Sequence, residues 1–265
     1  MAKITQRSLI RMRMQSPVSW FGGKRLLVKQ LIPMIPEHRL YVELFAGGAW
    51  LFFAKEPSKF EIINDINVDL TNFYRVIKHH PDEFLRLIQL VAPSRDEFEL
   101  QRADLPEMMT DINRAVRFYT MLKLSFATRS EHFAYGTKSV KLNKETIYDI
   151  VRTTNERLKK TIIENKAYDV LLKRQDADDT FFYIDPPYWG HENDYGKDLF
   201  YRDDFFKLKD HLANIKGKFL MSINDTPEIR ELFQDFEIQE VQTKYSTPPG
   251  THRAKIITEL IIKNY

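Results

Sequence analysis

The sequence predicts an α/β fold, a mostly parallel sheet with helices on its faces, interrupted by a mostly helical insertion. Three observations predict it. Strand-like and helix-like runs alternate over the first 80 residues, the middle of the chain is helical and charged, and the alternation returns after Tyr168. Alternation at this spacing is what a parallel sheet covered by helices produces.

The first strand is read in Arg39-Leu-Tyr-Val-Glu-Leu-Phe45, an apolar run that stops at Ala46-Gly47-Gly48. The apolar character resumes as Ala49-Trp-Leu-Phe-Phe-Ala54, so the segment reads as strand, tight turn and helix. Phe60-Glu-Ile-Ile-Asn64 is a second short strand, followed by a helix over roughly Asn67 to His79. From about Pro81 to Lys160 the pattern is helical and charged, punctuated by Pro93, Pro106 and Gly136. Ser125 to Leu142 lacks helical periodicity and carries turn residues at Ala134-Tyr-Gly136, the pattern of a hairpin or extended loop. Thr180-Phe-Phe-Tyr-Ile184 is a strand, Asp203 to Ile215 a helix, and Lys218-Phe-Leu-Met-Ser-Ile223 another strand. Glu237 to Val241 and Ala254 to Ile262 form a closing antiparallel pair. The expected division is a sheet domain over 1–80 and 161–265, split by an inserted domain over 81–160.

With 265 residues, 43% of them hydrophobic, the chain can bury one core of ordinary size, or one core plus a small accessory lobe. No apolar run reaches the ~20 residues of a membrane helix, and Met1 to Gln15 lacks the compact apolar stretch of a signal peptide. The absence of cysteine excludes disulfides and thiolate metal sites, and the expectation is a cytoplasmic protein with no membrane partner. The net charge of +3 is small, but its distribution is uneven. Lys3, Arg7, Arg11, Arg13, Lys24, Arg25 and Lys29 precede the first acidic residue, Glu37. Between 123 and 160, nine Lys or Arg face only Glu131, Glu145, Asp149 and Glu156. Local positive excess of this kind can follow a phosphate backbone.

Three motifs carry chemistry. Asp185-Pro186-Pro187-Tyr188 follows the apolar strand directly, and ligands in open α/β sheets bind beyond the carboxyl ends of strands. Two prolines fix φ and remove two N–H donors, leaving a rigid ledge between a carboxylate and an aromatic ring. Such a ledge suits a planar base bearing an NH2 group. Asp185 and a proline carbonyl can accept its two hydrogens while Tyr188 stacks on its face. Accepting both hydrogens localises the nitrogen lone pair for attack on an activated methyl, and a fixed carboxylate suits a positively charged donor.

The second motif, Glu43-Leu-Phe45-Ala-Gly47-Gly48, also ends a strand, where glycines allow close approach to a ligand. Asp65 ends the next strand, 20 positions after Phe45, placed to take the hydroxyls of a ribose. A full dinucleotide glycine fingerprint is missing, which points to an adenosine-type cofactor without a pyrophosphate. The third motif, Ser19-Trp20-Phe21-Gly22-Gly23-Lys24, is a glycine turn followed by lysine, without P-loop spacing.

Trp20-Phe-Gly-Gly-Lys24, Phe45-Ala-Gly-Gly48, Asn64-Asp65-Ile-Asn67, Asp185-Pro-Pro-Tyr188 and Ser222-Ile-Asn-Asp-Thr226 occur in the order found in Dam-like (D12 class) adenine-N6 DNA methyltransferases, which this chain resembles. The tail, Tyr245-Ser246, Gly250-Thr-His-Arg253, Lys255 and Glu259-Leu260, is similar to that family's terminal motif. The resemblance implies a Rossmann-like S-adenosylmethionine-dependent domain with a target-recognition domain inserted before the catalytic motif. It implies S-adenosylmethionine contacts at Trp20, Gly23, Lys24, Glu43, Phe45, Gly47, Asp65 and Asp185. Asp185, Pro186, Pro187 and Tyr188 would act on an adenine flipped out of double-stranded DNA. Arg129, Lys138, Lys141 and Arg253 would contact DNA, the first three from the hairpin. Close Dam members carry an Asn-Gly and several arginines in that hairpin, where this chain has Ser125-Phe-Ala-Thr-Arg-Ser130, so GATC recognition does not carry over. The expectation is a monomer in solution, with any cognate restriction nuclease acting separately.

Cytosine N4 methylation uses the same kind of ledge, and Asp instead of Ser at 185 leans toward adenine. RNA and protein-glutamine methyltransferases usually place Asn there. A DNA-binding module that has lost catalysis would not need the competent residues found at each motif. His79-His80 before Pro81 reads as a helix terminus and Asp203-Asp204 as a helix start, neither as a metal site.

Overall fold

In the computed structural model, residues 16–20, 24–125, 133, 142–192, 199–245 and 255–265 are described. The strands are β1 (Leu40–Glu43), β2 (Phe60–Asn64), β3 (Ile162–Glu164), β4 (Thr180–Ile184), β5 (Lys218–Asn224), β6 (Glu237–Tyr245) and β7 (Lys255–Lys263). The helices are α1 (Val28–Leu31), α2 (Trp50–Ala54), α3 (Val68–His79), α4 (Pro81–Ile88), α5 (Arg95–Ala103), α6 (Asp111–Leu124), α7 (Lys144–Leu158), α8 (Tyr168–Gln175), α9 (Arg202–Ala213) and α10 (Pro227–Leu232). The chain is α/β, and it divides into two compact units.

One unit comprises 24–46, 56–66 and 166–265, and contains six strands in the order β2-β1-β4-β5-β7-β6. β2, β1, β4 and β5 are parallel, with Val42 opposite both Ile62 and Phe182, and Phe182 opposite Phe219. β7 is antiparallel to β5 and β6, with Met221 opposite Ile262 and Ile238 opposite Ile262. The central strand β4 is buried at every position, which is why Thr-Phe-Phe-Tyr-Ile reads as continuous instead of alternating. One face of the sheet, carrying Val42, Phe182, Ile184, Met221 and Ile262, packs against Leu171, Leu172, Phe205, Leu208 and Ile229 of the helices. The opposite face is chemically different. There β1, β4, β5 and β7 present Glu43, Tyr183, Ser222 and Glu259, all buried.

The antiparallel pair runs further than its apolar residues suggest, because backbone pairing continues through Tyr245 and Lys255. Neither β3 nor α8 was expected from the periodicity, each being too short to show one.

The other unit comprises 1–23, 47–55 and 67–165. Its core stacks Phe73 on Tyr119 with ring centroids 5.5 Å apart, and Phe84 meets Tyr119 edge-on at 5.7 Å. Side-chain caps set its helix starts, Asn67 for α3, Ser94 for α5, Thr110 for α6 and Asn143 for α7, each accepting from a backbone N–H in the first turn. α3 stops at His79 because His80, before Pro81, is held outside helical backbone with φ −132° and ψ 44°. The two histidines therefore mark a helix terminus, as the sequence indicates. Compactness draws α2 and α3 into this helical unit. No described helix is long and apolar enough to cross a membrane.

Candidate active site

The site is built at the carboxyl ends of β4 and β5. β4 delivers Asp185 past its last buried residue, Ile184, and Pro186 and Pro187 are buried behind it. The chain then turns through Tyr188, whose carbonyl accepts from His191 N–H at 2.9 Å, while Gly190 takes φ +83°. Asn224 at the end of β5 clamps the turn from both sides. Its Oδ1 accepts from Trp189 N–H at 2.9 Å, and its Nδ2 donates to the Trp189 carbonyl at 3.0 Å.

Lys24, immediately before the turn leading into α1, brings these elements together. Its carbonyl accepts from Leu27 and Val28 at 2.9 and 3.1 Å, fixing the start of the turn. Its side chain is buried, with Nζ 3.0 Å from Asp185 Oδ1 and 3.1 Å from Glu259 Oε2. Nζ also donates to the Tyr188 hydroxyl. Ser222 Oγ donates to Asp185 Oδ1 at 3.3 Å and lies 2.8 Å from the Tyr183 hydroxyl. Burial pushes the Asp185 carboxyl up to about 6, with the nearby charge of Glu259 acting in the same direction and Lys24 and Ser222 opposing it. A carboxylate held at the edge of solvent by an ammonium and a hydroxyl is an acceptor aimed at a polar hydrogen.

The neighbouring strand ends supply a second group of residues. The Ala46 N–H donates to the Asn64 carbonyl at 2.8 Å, tying the turn after β1 to the end of β2, where Asp65 is half-buried. Asn64 itself is buried and donates to the carbonyls of Leu44 and Lys166 at 2.9 and 3.0 Å. Phe45 lies half-buried with its ring 5.3 Å from Tyr168 and 5.8 Å from Phe200. Glu43 is buried and accepts from the Tyr41 hydroxyl at 2.7 Å. In the helical unit, Gly47 has φ +48°, and a Cβ there would lie 2.6 Å from Trp20 Cδ1. That position therefore requires glycine on two counts. Its carbonyl accepts from the Tyr74 hydroxyl at 2.8 Å.

A family model described as D12 class N6 adenine-specific DNA methyltransferase matches residues 20–247. The chain belongs to that family. This D12 methyltransferase is 31% identical to the type II methyltransferase M1.LlaDCHI of Lactococcus lactis subsp. cremoris, over 93% of this chain and 94% of the relative. It is 29% identical to the type II methyltransferase M.CviBI of Paramecium bursaria Chlorella virus NC1A, over 95% of this chain and all of the relative. It is also 23% identical to the DNA adenine methylase of Escherichia coli (strain K12), over 92% of this chain and 93% of the relative.

Of the residues singled out in the sequence of this D12 methyltransferase, Lys24, Asp185 and Tyr188 meet directly, and Trp20 packs on Gly47. Glu43, Phe45 and Asp65 stand at or just past the ends of β1 and β2. Gly23, Arg129, Lys138, Lys141 and Arg253 lie outside the described residues. Three further contributors, Glu259, Ser222 and Asn224, stand in the sequence only as parts of motifs. The signal for Glu259 was present. An acidic residue within Ile256-Ile-Thr-Glu-Leu-Ile-Ile262 is buried with the strand and calls for a cationic partner.

Proposed function

We propose that this D12 methyltransferase transfers a methyl group from S-adenosylmethionine to N6 of an adenine flipped out of duplex DNA, at Asp185-Pro186-Pro187-Tyr188. The observation that carries this reading is the buried Lys24 ammonium bridging Asp185 and Tyr188. The bridge fixes an acceptor and an aromatic face on one rigid ledge. Asp185 and the Pro186 carbonyl accept the two amine hydrogens, which favours a pyramidal nitrogen with a localised lone pair. Tyr188 stacks on the base, and the removal of the base from the helix is what allows the contact.

The residues present fit the proposed methyl donor by their chemistry. A cationic sulfonium suits the carboxylates of half-buried Asp185 and buried Glu43, a ribose diol suits the half-buried Asp65, and an adenine ring suits an aromatic wall that includes Phe45. When bound, S-adenosylmethionine supplies an electrophilic methyl on positively charged sulfur. By family resemblance, Trp20, Gly23, Lys24 and Gly47 complete its surroundings. The same resemblance supports 1–80 and 161–265 as the catalytic domain and 81–160 as the target-recognition domain. Arg129, Lys138, Lys141 and Arg253 are then the DNA contacts. In this reading the protein works in the cytoplasm as a monomer, and any cognate nuclease is a separate protein.

The test is transfer of tritium from methyl-labelled S-adenosylmethionine to plasmid DNA, compared with single-stranded DNA and RNA of matched composition. Label entering duplex DNA preferentially supports the reading. Label entering only RNA, or none entering any nucleic acid, overturns it.

A further inference from the structure

Glu259 has no role in the reaction as described so far. It belongs to β7, opposite Asn224 in the antiparallel register, and its side chain is fully buried. A carboxylate there carries a large desolvation cost unless a cation stands against it, and Lys24 does. An ammonium has three donors in tetrahedral array. Three acceptors, two from the ledge after β4 and one from β7, stand within reach of them: Asp185 Oδ1 at 3.0 Å, the Tyr188 hydroxyl, and Glu259 Oε2 at 3.1 Å.

We propose that Glu259 is a positioning residue that anchors Lys24, so that the ammonium bridges Asp185 and Tyr188 instead of closing fully onto Asp185. The proposal rests on the reading of Asp185 as the acceptor for the target amine. An acceptor already saturated by its counter-ion binds a further hydrogen poorly, so a second carboxylate that shares the cation keeps Asp185 available. The groups facing Asp185 are Lys24 from the turn before α1, Glu259 from β7, Ser222 from β5 and Tyr183 from β4. Of these, Glu259 raises the proton affinity of Asp185 by its charge, whereas Lys24 lowers it. With the Glu259 charge removed, Lys24 commits to Asp185, which then titrates at lower pH and gives up less of itself to substrate.

E259Q keeps the shape and an acceptor oxygen while removing the charge. Its test is a carboxyl carbon-13 NMR titration, the Asp185 signal assigned by its loss in D185N, together with kcat and the donor KM. The expected result is a midpoint lower in E259Q than in wild type, a kcat reduced several-fold, and little change in donor KM. An unchanged midpoint in folded E259Q overturns the proposal. E259D keeps the charge but sets it back by one methylene. It is expected to retain the wild-type midpoint with reduced kcat, and wild-type kcat there counts against the anchoring role. The titration uses neither methyl donor nor DNA, so its failure is distinguishable from failure of the proposed reaction.

Discussion

Lys24 Nζ lies 3.0 Å from Asp185 Oδ1, which places a residue of the amino-terminal glycine motif on the first residue of the Asp-Pro-Pro-Tyr ledge. Lys24 and the ledge, far apart in the chain, therefore meet directly. Removing the ammonium leaves two carboxylates, one of them fully buried, without the cation they share. K24A is expected to lower stability by about 3–5 kcal/mol, the range for breaking a buried ion pair from one side. Thermal unfolding measures it. K24M/E259Q, which removes a charge of each sign, is expected to recover part of the loss. A single variant with wild-type stability would show that the pairing is not structural.

In the proposed reaction, the protonation of Asp185 is expected to set an acid limit on activity. The reaction as proposed needs the carboxylate as acceptor, and burial holds its titration up at about 6. Activity is present above that value and is lost as pH falls through it, because the protonated acid fills one of its own acceptor positions. A pH–rate profile under saturating conditions is expected to show an acid limb near pH 6. A flat profile down to pH 4.5, close to an unperturbed carboxylate at about 4, would contradict the assigned role.

Tyr188 offers two separable features, an aromatic face and a hydroxyl bonded to Lys24. Y188A is expected to lose base stacking of roughly 1–3 kcal/mol, seen as a rate loss larger than the loss of DNA affinity. Y188F keeps the ring and should fall between Y188A and wild type. Kinetics paired with DNA binding by fluorescence anisotropy separate the two effects. Equal rates for all three proteins would remove Tyr188 from the mechanism.

Gly47 makes a prediction about stability within the helical unit. G47A must adopt φ near +48° and place a Cβ 2.6 Å from Trp20 Cδ1. Strain of this kind costs about 1–3 kcal/mol before Trp20 moves. The expected signs are a lower unfolding temperature and altered tryptophan fluorescence. Removal of the ring in G47A/W20A should relieve the steric part but not the backbone part. If G47A unfolds at the wild-type temperature, the contact does not constrain this turn.

Much of the fold was legible because its strands announce themselves. β1, β2, β4 and β5 are apolar runs ending at Glu43, Asn64, Ile184 and Asn224, and each end coincides within a residue or two with a motif. The helix starts were legible where Asn67 and Asp203-Asp204 supply caps and favourable charge, and Tyr201 N–H indeed donates to Asp204 Oδ2 at 2.8 Å. What was not legible is how the motifs meet. Periodicity reports which face a residue uses, not which distant strand lies beside it. Glu259 comes into register with Asn224 only through the antiparallel insertion of β7 between β5 and β6. Asn224 stands in the sequence only as part of Ser222-Ile-Asn-Asp-Thr226, just past the strand read to Ile223, yet its amide closes both backbone groups of Trp189. β3 and α8 were too short to carry a period.

In the proposed reaction Asp185 presents an acceptor to the N6 amine of adenine in DNA. The most direct measurement is mass spectrometry of nucleosides from plasmid DNA incubated with S-adenosylmethionine and either wild-type protein or D185A. N6-methyldeoxyadenosine is expected with the wild type, reduced by at least about a hundredfold in D185A, the order found when a preorganised catalytic hydrogen-bonding group is removed. N4-methyldeoxycytidine as the product, or undiminished N6-methyldeoxyadenosine from folded D185A, would contradict it.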